Sequence, residues 1–181
     1  MKVVCPVLCG IRARKAKRED AGLIANLRNA ALRRLASAAY EPAIIERWIA
    51  AAGSPEIGLI ERGRLHVLEL GGEIVAAGGW DAVDRDQSEG GHATAAIRSL
   101  AVAPVYARKG LGTLLMTLIE DEMAAQGFDR ASIAASLSAM PLCTYRGFRP
   151  SRVLETVLPD GSAVTRVLMT KSLPRRLSAA A

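Results

Sequence analysis

The sequence predicts an α/β protein built on one mixed β-sheet, and three observations carry that prediction. Strand-like and helix-like segments succeed one another in the order βααβββαβαββ, an interleaving typical of layered folds with helices packed on a sheet. The 181 residues contain no internal repeat and no linker, a length that suits one domain with a substantial core. Residues 100–115 read as the end of an apolar strand, a proline-marked turn, and a glycine-rich loop that opens directly into a helix.

Residues 11–15 alternate well enough for a first strand. A helix over 19–36 carries Leu23, Ile24, Leu27, Ala31 and Leu35 at helical spacing. A second helix begins at Glu41-Pro42, with proline in the favoured first turn, and presents Ile44, Ile45, Trp48 and Ile49 before Gly53-Ser54-Pro55 ends it. Residues 64–70 and 73–80 flank Gly71-Gly72, a hairpin signal. A polar loop over 81–91 leads to a strand over 93–102. The helix over 111–126 sets Leu111, Leu114, Leu115, Leu118 and Ile119 on one face, with Gly127 at its cap. A short strand over 131–135 follows, then one or two helical turns over 141–146 closed by Gly147. Residues 151–158 and 162–170 make a last hairpin around Pro159-Asp160-Gly161. The domain is thus expected over 11–170, between an extension at 1–10 and a tail at 171–181 that should fray.

The strand over 93–102 has an irregular pattern. Ile97 and Leu100 are three apart, and strict alternation would put them on opposite faces. A β-bulge near Arg98-Ser99 would return them to one face and free a backbone group. A strand buried on both faces explains the pattern equally well.

Composition narrows the function. No apolar run approaches the roughly 18 residues of a membrane span, and residues 3–9 are too short for a secretory signal core, so a cytoplasmic location is the default expectation. Cys5, Cys9 and Cys143 form no disulfide or zinc framework, and His66 and His92 do not cluster, so no metal is expected. The net charge of +6 comes largely from residues 12–18 and from Lys171, Arg175 and Arg176. Such basic ends fit a solvated surface, or attraction to an anionic cofactor or to RNA. Aromatic residues make up only 4% and do not interleave with the basic runs, so nucleic acid is not the expected partner.

The loop at 107–113 carries the clearest chemistry. A strand–loop–helix junction gathers unpaired backbone N–H groups at the positive end of a helix dipole, which suits a phosphate or pyrophosphate. Gly110 and Gly112 let that backbone come close to a bulky anion, and Arg108 and Lys109 add positive charge at the same mouth.

These residues resemble the cofactor motif of the GNAT superfamily of acetyl-CoA-dependent N-acetyltransferases, (Gln/Arg)-x-x-Gly-x-(Gly/Ala), here Ala107-Arg108-Lys109-Gly110-Leu111-Gly112. A second segment, residues 135–148, is similar to the family's closing Ala-Ser-x-x-Ala-x-x-Phe-Tyr-x-x-x-Gly-Phe. The likeness spans about residues 11–170. It implies a GNAT-like, mostly antiparallel sheet of about seven strands with about four helices, and a splayed strand pair, 93–102 and 131–136, that forms the cleft for acetyl-CoA. It further implies that the pyrophosphate sits on the amides of Arg108, Lys109, Gly110, Leu111, Gly112 and Thr113. The pantetheine arm would pair with the backbone of Leu100, Ala101 and Val102 like an added strand. A backbone N–H freed at Leu100 would polarise the thioester carbonyl, and an amine acceptor would attack directly. Many relatives are dimers, and the C-terminal hairpin is a candidate contact for a homodimer.

The chain departs from the pattern in two places. Ala107 stands where the family has a polar side chain. The Phe-Tyr pair, whose tyrosine often protonates the departing thiolate, is Leu142-Cys143 here. Tyr145 lies two residues on, about 200° around a helix. Cys143, Tyr145 or water are therefore three candidates for the acid. For a general base the candidates are Asp81, Glu89 and His92; with Asp84 and Asp86 the carboxylates among them could equally be a solvated loop that draws in a cationic amine. Tyr40 and Trp48 are candidates for an acceptor pocket or for the core, and Tyr106 for packing. Transfer to a primary amine is the leading function. Transfer to a charged tRNA and a non-catalytic CoA-binding module are the alternatives.

Overall fold

A computed structural model describes residues 9–84 and 91–174. Strands β1 (Arg12–Lys15), β2 (Leu65–Leu70), β3 (Glu73–Ala82) and β4 (Thr94–Val102) pair antiparallel in chain order. Strand β5 (Arg130–Ser136) then runs parallel to β4, and the hairpin of β6 (Arg149–Val157) and β7 (Ala163–Ser172) folds back so that β7 lies between β5 and β6. The seven-stranded order β1-β2-β3-β4-β5-β7-β6 is the mixed, mostly antiparallel sheet expected.

Helices α1 (Ala21–Leu35), α2 (Pro42–Ala52), α3 (Glu56–Glu61), α4 (Leu111–Ala125) and α5 (Met140–Tyr145) complete the fold. The expectation of about four helices missed α3. Helix α4 is the crossover that a parallel β4–β5 pair requires. It buries Leu111, Leu115, Met116, Ile119 and Met123 against one face of the sheet, where Ala95, Ile97, Ala131 and Ile133 meet them. Helix α1 covers part of the other face with Ile24, Leu27 and Ala31 against Val67, Ala77 and Ala101. Among the described residues no helix is long and apolar enough to cross a membrane.

The register of β4 contains the bulge. Ala76 and Ala77 pair with Val102 and Ala101, whereas Gly79 and Trp80 pair with Arg98 and Ile97, so β4 has one residue more than β3 over this stretch. Ser99 absorbs it at φ 52°, a conformation a side chain adopts only at a cost. Leu100 and Val102 consequently join Ile97 on the α4 face, while Ala101 turns to α1.

Three charged groups tie the layers together. Glu122 on α4 accepts hydrogen bonds from Lys15, His66 and Trp80, at 2.5, 2.6 and 2.9 Å. Burial alone would raise its carboxyl pKa, yet these three donors hold it below the ordinary range. Glu120, 7% exposed, receives Arg146 at 3.0 Å and Lys171 at 2.5 Å, linking α4 to the end of α5 and to β7. Glu56 at the start of α3 is fully buried against Arg28 of α1.

Two details differ from the sequence reading. Leu23, expected on the buried stripe of α1, is 59% exposed, because Ile24, Leu27 and Ala31 alone face the sheet. The stretch expected to fray from residue 171 begins inside β7, and the Leu173 amide donates to the Asp129 carbonyl at 2.8 Å.

Candidate active site

The sheet splits where β4 and β5 part. Their register runs only from Thr94↔Arg130 to Ile97↔Ile133. Beyond it the β5-facing edge of β4 is open along Arg98–Val102, and the bulge leaves Ser99 and Leu100 without a register partner on β3. An open strand edge beside a bulge can take an extended ligand as an added strand.

A cavity of about 580 Å³ fills the split. Its floor is Leu100, Ala101 and Val102, and one wall is the C-terminal half of α1, from Ala31 to Leu35. Ser136, Ala139, Leu142 and Tyr145 form the other wall. The part-exposed Leu35 thus lines a cavity, which explains why an apolar side chain stays 37% accessible.

The glycine loop closes one end. Gly110 caps α4 at φ 88° and Arg108 takes φ 61°, so left-handed residues bracket Lys109 and bend the backbone into the concave form that gathers amide N–H groups. Ala107, Arg108, Gly110, Gly112 and Thr113 line the cavity. A Cβ on Gly112 would come within 2.8 Å of a Leu142 methyl, so the missing side chain lets α4 start against α5 as well as clearing the loop. The side chains of the other two loop residues turn elsewhere, Leu111 into the core and Lys109 with its Nζ 5.2 Å over the Tyr106 ring.

The two acid candidates on α5 point in different directions, as a two-residue helical offset requires. Cys143 is fully buried among the α4 core residues and does not line the cavity; burial pushes its thiol up to about 11. Tyr145 is 78% exposed at the cavity rim.

The described base candidates do not line the cavity, although Asp81 lies opposite Ala96 in the β3–β4 register, one residue short of the last β4–β5 pair. Asp81 is clamped by Arg62 at 2.8 Å and Arg64 at 2.6 Å. His92 lies 3.5 Å from Asp129, about 23 Å of strand from the bulge. Glu89, Asp86, Arg175 and Arg176 fall outside the described residues. Tyr40 acts as a brace: its hydroxyl donates to the Thr165 carbonyl at 2.7 Å and accepts from the Leu137 amide at 2.8 Å. Trp48 packs edge-on against the Tyr40 ring, with centroids 5.7 Å apart, and lines neither large cavity.

A sheet split beside a bulged strand, with a helix start and glycine loop at the end of the split, defines the acyltransferase class. The chain belongs to the acetyltransferase (GNAT) family, whose sequence model matches residues 27–148. It is similar in fold to a GCN5-related N-acetyltransferase from Rhodopseudomonas palustris, with 22% identity over 90% of this chain and 95% of that one at a TM-score of 0.73. The PaiA N-acetyltransferase of Thermoplasma acidophilum, solved with coenzyme A, matches at 16% identity over 90% and 98% of the two chains, TM-score 0.68. YncA of Salmonella typhimurium, solved with acetyl-CoA, matches at 17% identity over 94% and 98%, TM-score 0.63. No curated protein sequence matches the chain.

Proposed function

We propose that this protein transfers the acetyl group of acetyl-CoA to a primary amine by direct attack in a ternary complex. The observation that carries the reading is the coincidence of the β4 bulge, the end of β4–β5 pairing at Ile97 and Ile133, and the cavity that runs from there to the glycine loop. The residues present fit the group: the Gly110 cap and the bare Gly112 leave room for a pyrophosphate on the loop amides, and the free edge of β4 suits the amide-bearing pantetheine arm. Relatives of the same fold hold coenzyme A and acetyl-CoA.

Acetyl-CoA supplies an activated acyl group whose thiolate is a tolerable leaving group. The backbone N–H of Leu100, which has no register partner on β3, would donate to the thioester oxygen as negative charge develops there. The nitrogen–carbon bond forms as the carbon–sulfur bond breaks; the amine loses one proton and the departing sulfur gains one. Burial of Cys143 and the exposure of the cavity mouth at Tyr145 favour water as the source of that last proton.

Calorimetric titration with acetyl-CoA, CoA and dephospho-CoA tests the reading. Micromolar binding at one site per chain, followed by thiol release on adding an amine, is expected. Absence of binding overturns the cofactor assignment, whereas binding without turnover of any amine identifies a non-catalytic CoA-binding module.

A further inference from the structure

On the sheet face opposite α4 a second groove, about 460 Å³, crosses four strands. Strand alternation brings Arg98 of β4, Arg130 of β5, Arg152 of β6 and Arg166 of β7 to this one face. Among the described residues that line it there is no carboxylate. Arg98 and Arg152 are exposed and make no ion pair with a described residue. Arg166 is part-buried: its Nη2 donates to Thr156 at 2.7 Å, and its buried Nε has no partner among the described residues. Burial and the nearby Arg98 both disfavour its charge. Arg98 and Arg166, which repel each other across a groove whose described lining holds no carboxylate, form with Arg152 a site for an anion.

The groove abuts the split. Arg98 directly follows the last β4–β5 pair and directly precedes the bulged Ser99. Arg166 lies opposite Ser136 in the β5–β7 register, and Ser136 already lines the cofactor cavity. The cofactor cavity ends at Leu100 and Ser136 and the groove begins at Arg98 and Ala134, a separation of about 7 Å along either strand. A molecule held in the groove therefore has its near end at the point where the thioester would emerge.

We propose that this groove is the acceptor site and that the amine it takes carries an oxyanion, a carboxylate or a phosphate, bound between Arg98, Arg152 and Arg166. The inference rests on the acetyltransferase reading and names its substrate class. It differs from the expectation that acidic residues draw in a cationic amine: Asp81 is paired with Arg62 and Arg64, Asp86 and Glu89 lie outside the described residues, and the groove beside the split is lined by arginines. Two hydrogen bonds from a guanidinium to a carboxylate or phosphate fix orientation as well as charge, which would aim the amine end at the split.

The test uses the full chain with acetyl-CoA and matched acceptors that differ only in the anion. L-methionine is paired with 3-(methylthio)propylamine, and phosphoethanolamine with ethanolamine, the pairs separating carboxylate from phosphate. The expected result is that the anionic member of one pair has the higher kcat/KM by at least about tenfold. Arg98→Gln and Arg152→Gln should each raise KM for that acceptor about 10- to 100-fold, the range of a lost charged hydrogen bond, with KM for acetyl-CoA unchanged. Arg98→Glu should shift preference toward the uncharged-tail amine. Both side chains are exposed, so a folding defect is not expected, and unchanged melting temperatures check this. If amines are acetylated but the anionic members are not preferred, or the variants leave their KM unaltered, the inference falls and the acetyltransferase reading stands; if acetyl-CoA binds and no amine is acetylated, both fall. If acetyl-CoA does not bind, both fall.

Discussion

Replacing Cys143 by alanine separates the candidate acids. The thiol stands where the family resemblance implies a proton-donating tyrosine, but it is fully buried in the α4 core and pushed up from 9.0 to about 11. A thiolate leaving CoA has a conjugate acid near the ordinary thiol value of roughly 8.5, so proton transfer from Cys143 would run uphill by about 2.5 pKa units, or about 3.4 kcal/mol. That is close to a 300-fold handicap before any cost of turning the side chain out of the core. Cys143→Ala should therefore keep kcat/KM within about twofold at every pH. Its effect should appear in stability: losing the buried sulfur costs about 1–2 kcal/mol, a fall in Tm of about 2–8 °C for a domain of this size. Thiol-release kinetics across pH and a thermal melt measure both. A tenfold or greater fall in kcat with loss of the basic limb of the pH profile, at unchanged Tm, would refute the reasoning and return Cys143 to the chemistry.

The same burial makes the fold sensitive to alkali. The raised thiol contributes stability that is complete below pH 9 and is lost as pH climbs toward 11, about 3 kcal/mol in all; denaturant titrations at rising pH should show wild type losing that much more than Cys143→Ala. Glu56→Ala leaves the Arg28 guanidinium, only 11% exposed, without its carboxylate; a loss of about 3–5 kcal/mol in urea unfolding is expected, and a loss under about 1 kcal/mol would show the pair to be dispensable. Gly79→Ala puts a Cβ 2.4 Å from the Arg64 carbonyl oxygen, an atom of the backbone, whereas Gly78→Ala meets only side-chain methyls at 3.1–3.3 Å. The first should cost about 3 kcal/mol and the second about 1 kcal/mol, so equal melting temperatures would contradict the packing described.

Much of this architecture was written locally. The strand–loop–helix junction at 100–115 needs only a turn residue, two glycines and an apolar face, all adjacent in sequence, and the three-residue spacing of Ile97 and Leu100 already required either a bulge or two buried faces. Helix α3 was invisible for the opposite reason. It is six residues long, starts after Pro55 and contains Gly58, so neither periodicity nor propensity marks it; burial of Leu59 and the Glu56–Arg28 pair hold it in place. The arginine groove could not be read at all, because its four side chains come from strands up to 68 positions apart, and only the order β4-β5-β7-β6 brings them together. Cys143 and Tyr145 show an intermediate case. Their angular separation on a helix followed from counting, but which of them faces the core depends on where α5 docks.

The brevity of the β4–β5 seam has a consequence for how the molecule is made. Everything on one side of the seam, β1 to β4 with α1 to α4, precedes Arg130 in the chain, and everything on the other side follows it. A nascent chain that has emerged as far as Gln126 already holds the glycine loop and the α1 wall, yet it lacks Ser136, Leu142 and Tyr145, and with them one whole side of the cavity in the split. Ribosomal synthesis thus finishes the scaffold first and the cleft last. If the cavity holds acetyl-CoA as proposed, that capacity is withheld until residues 130–145 have been delivered and docked.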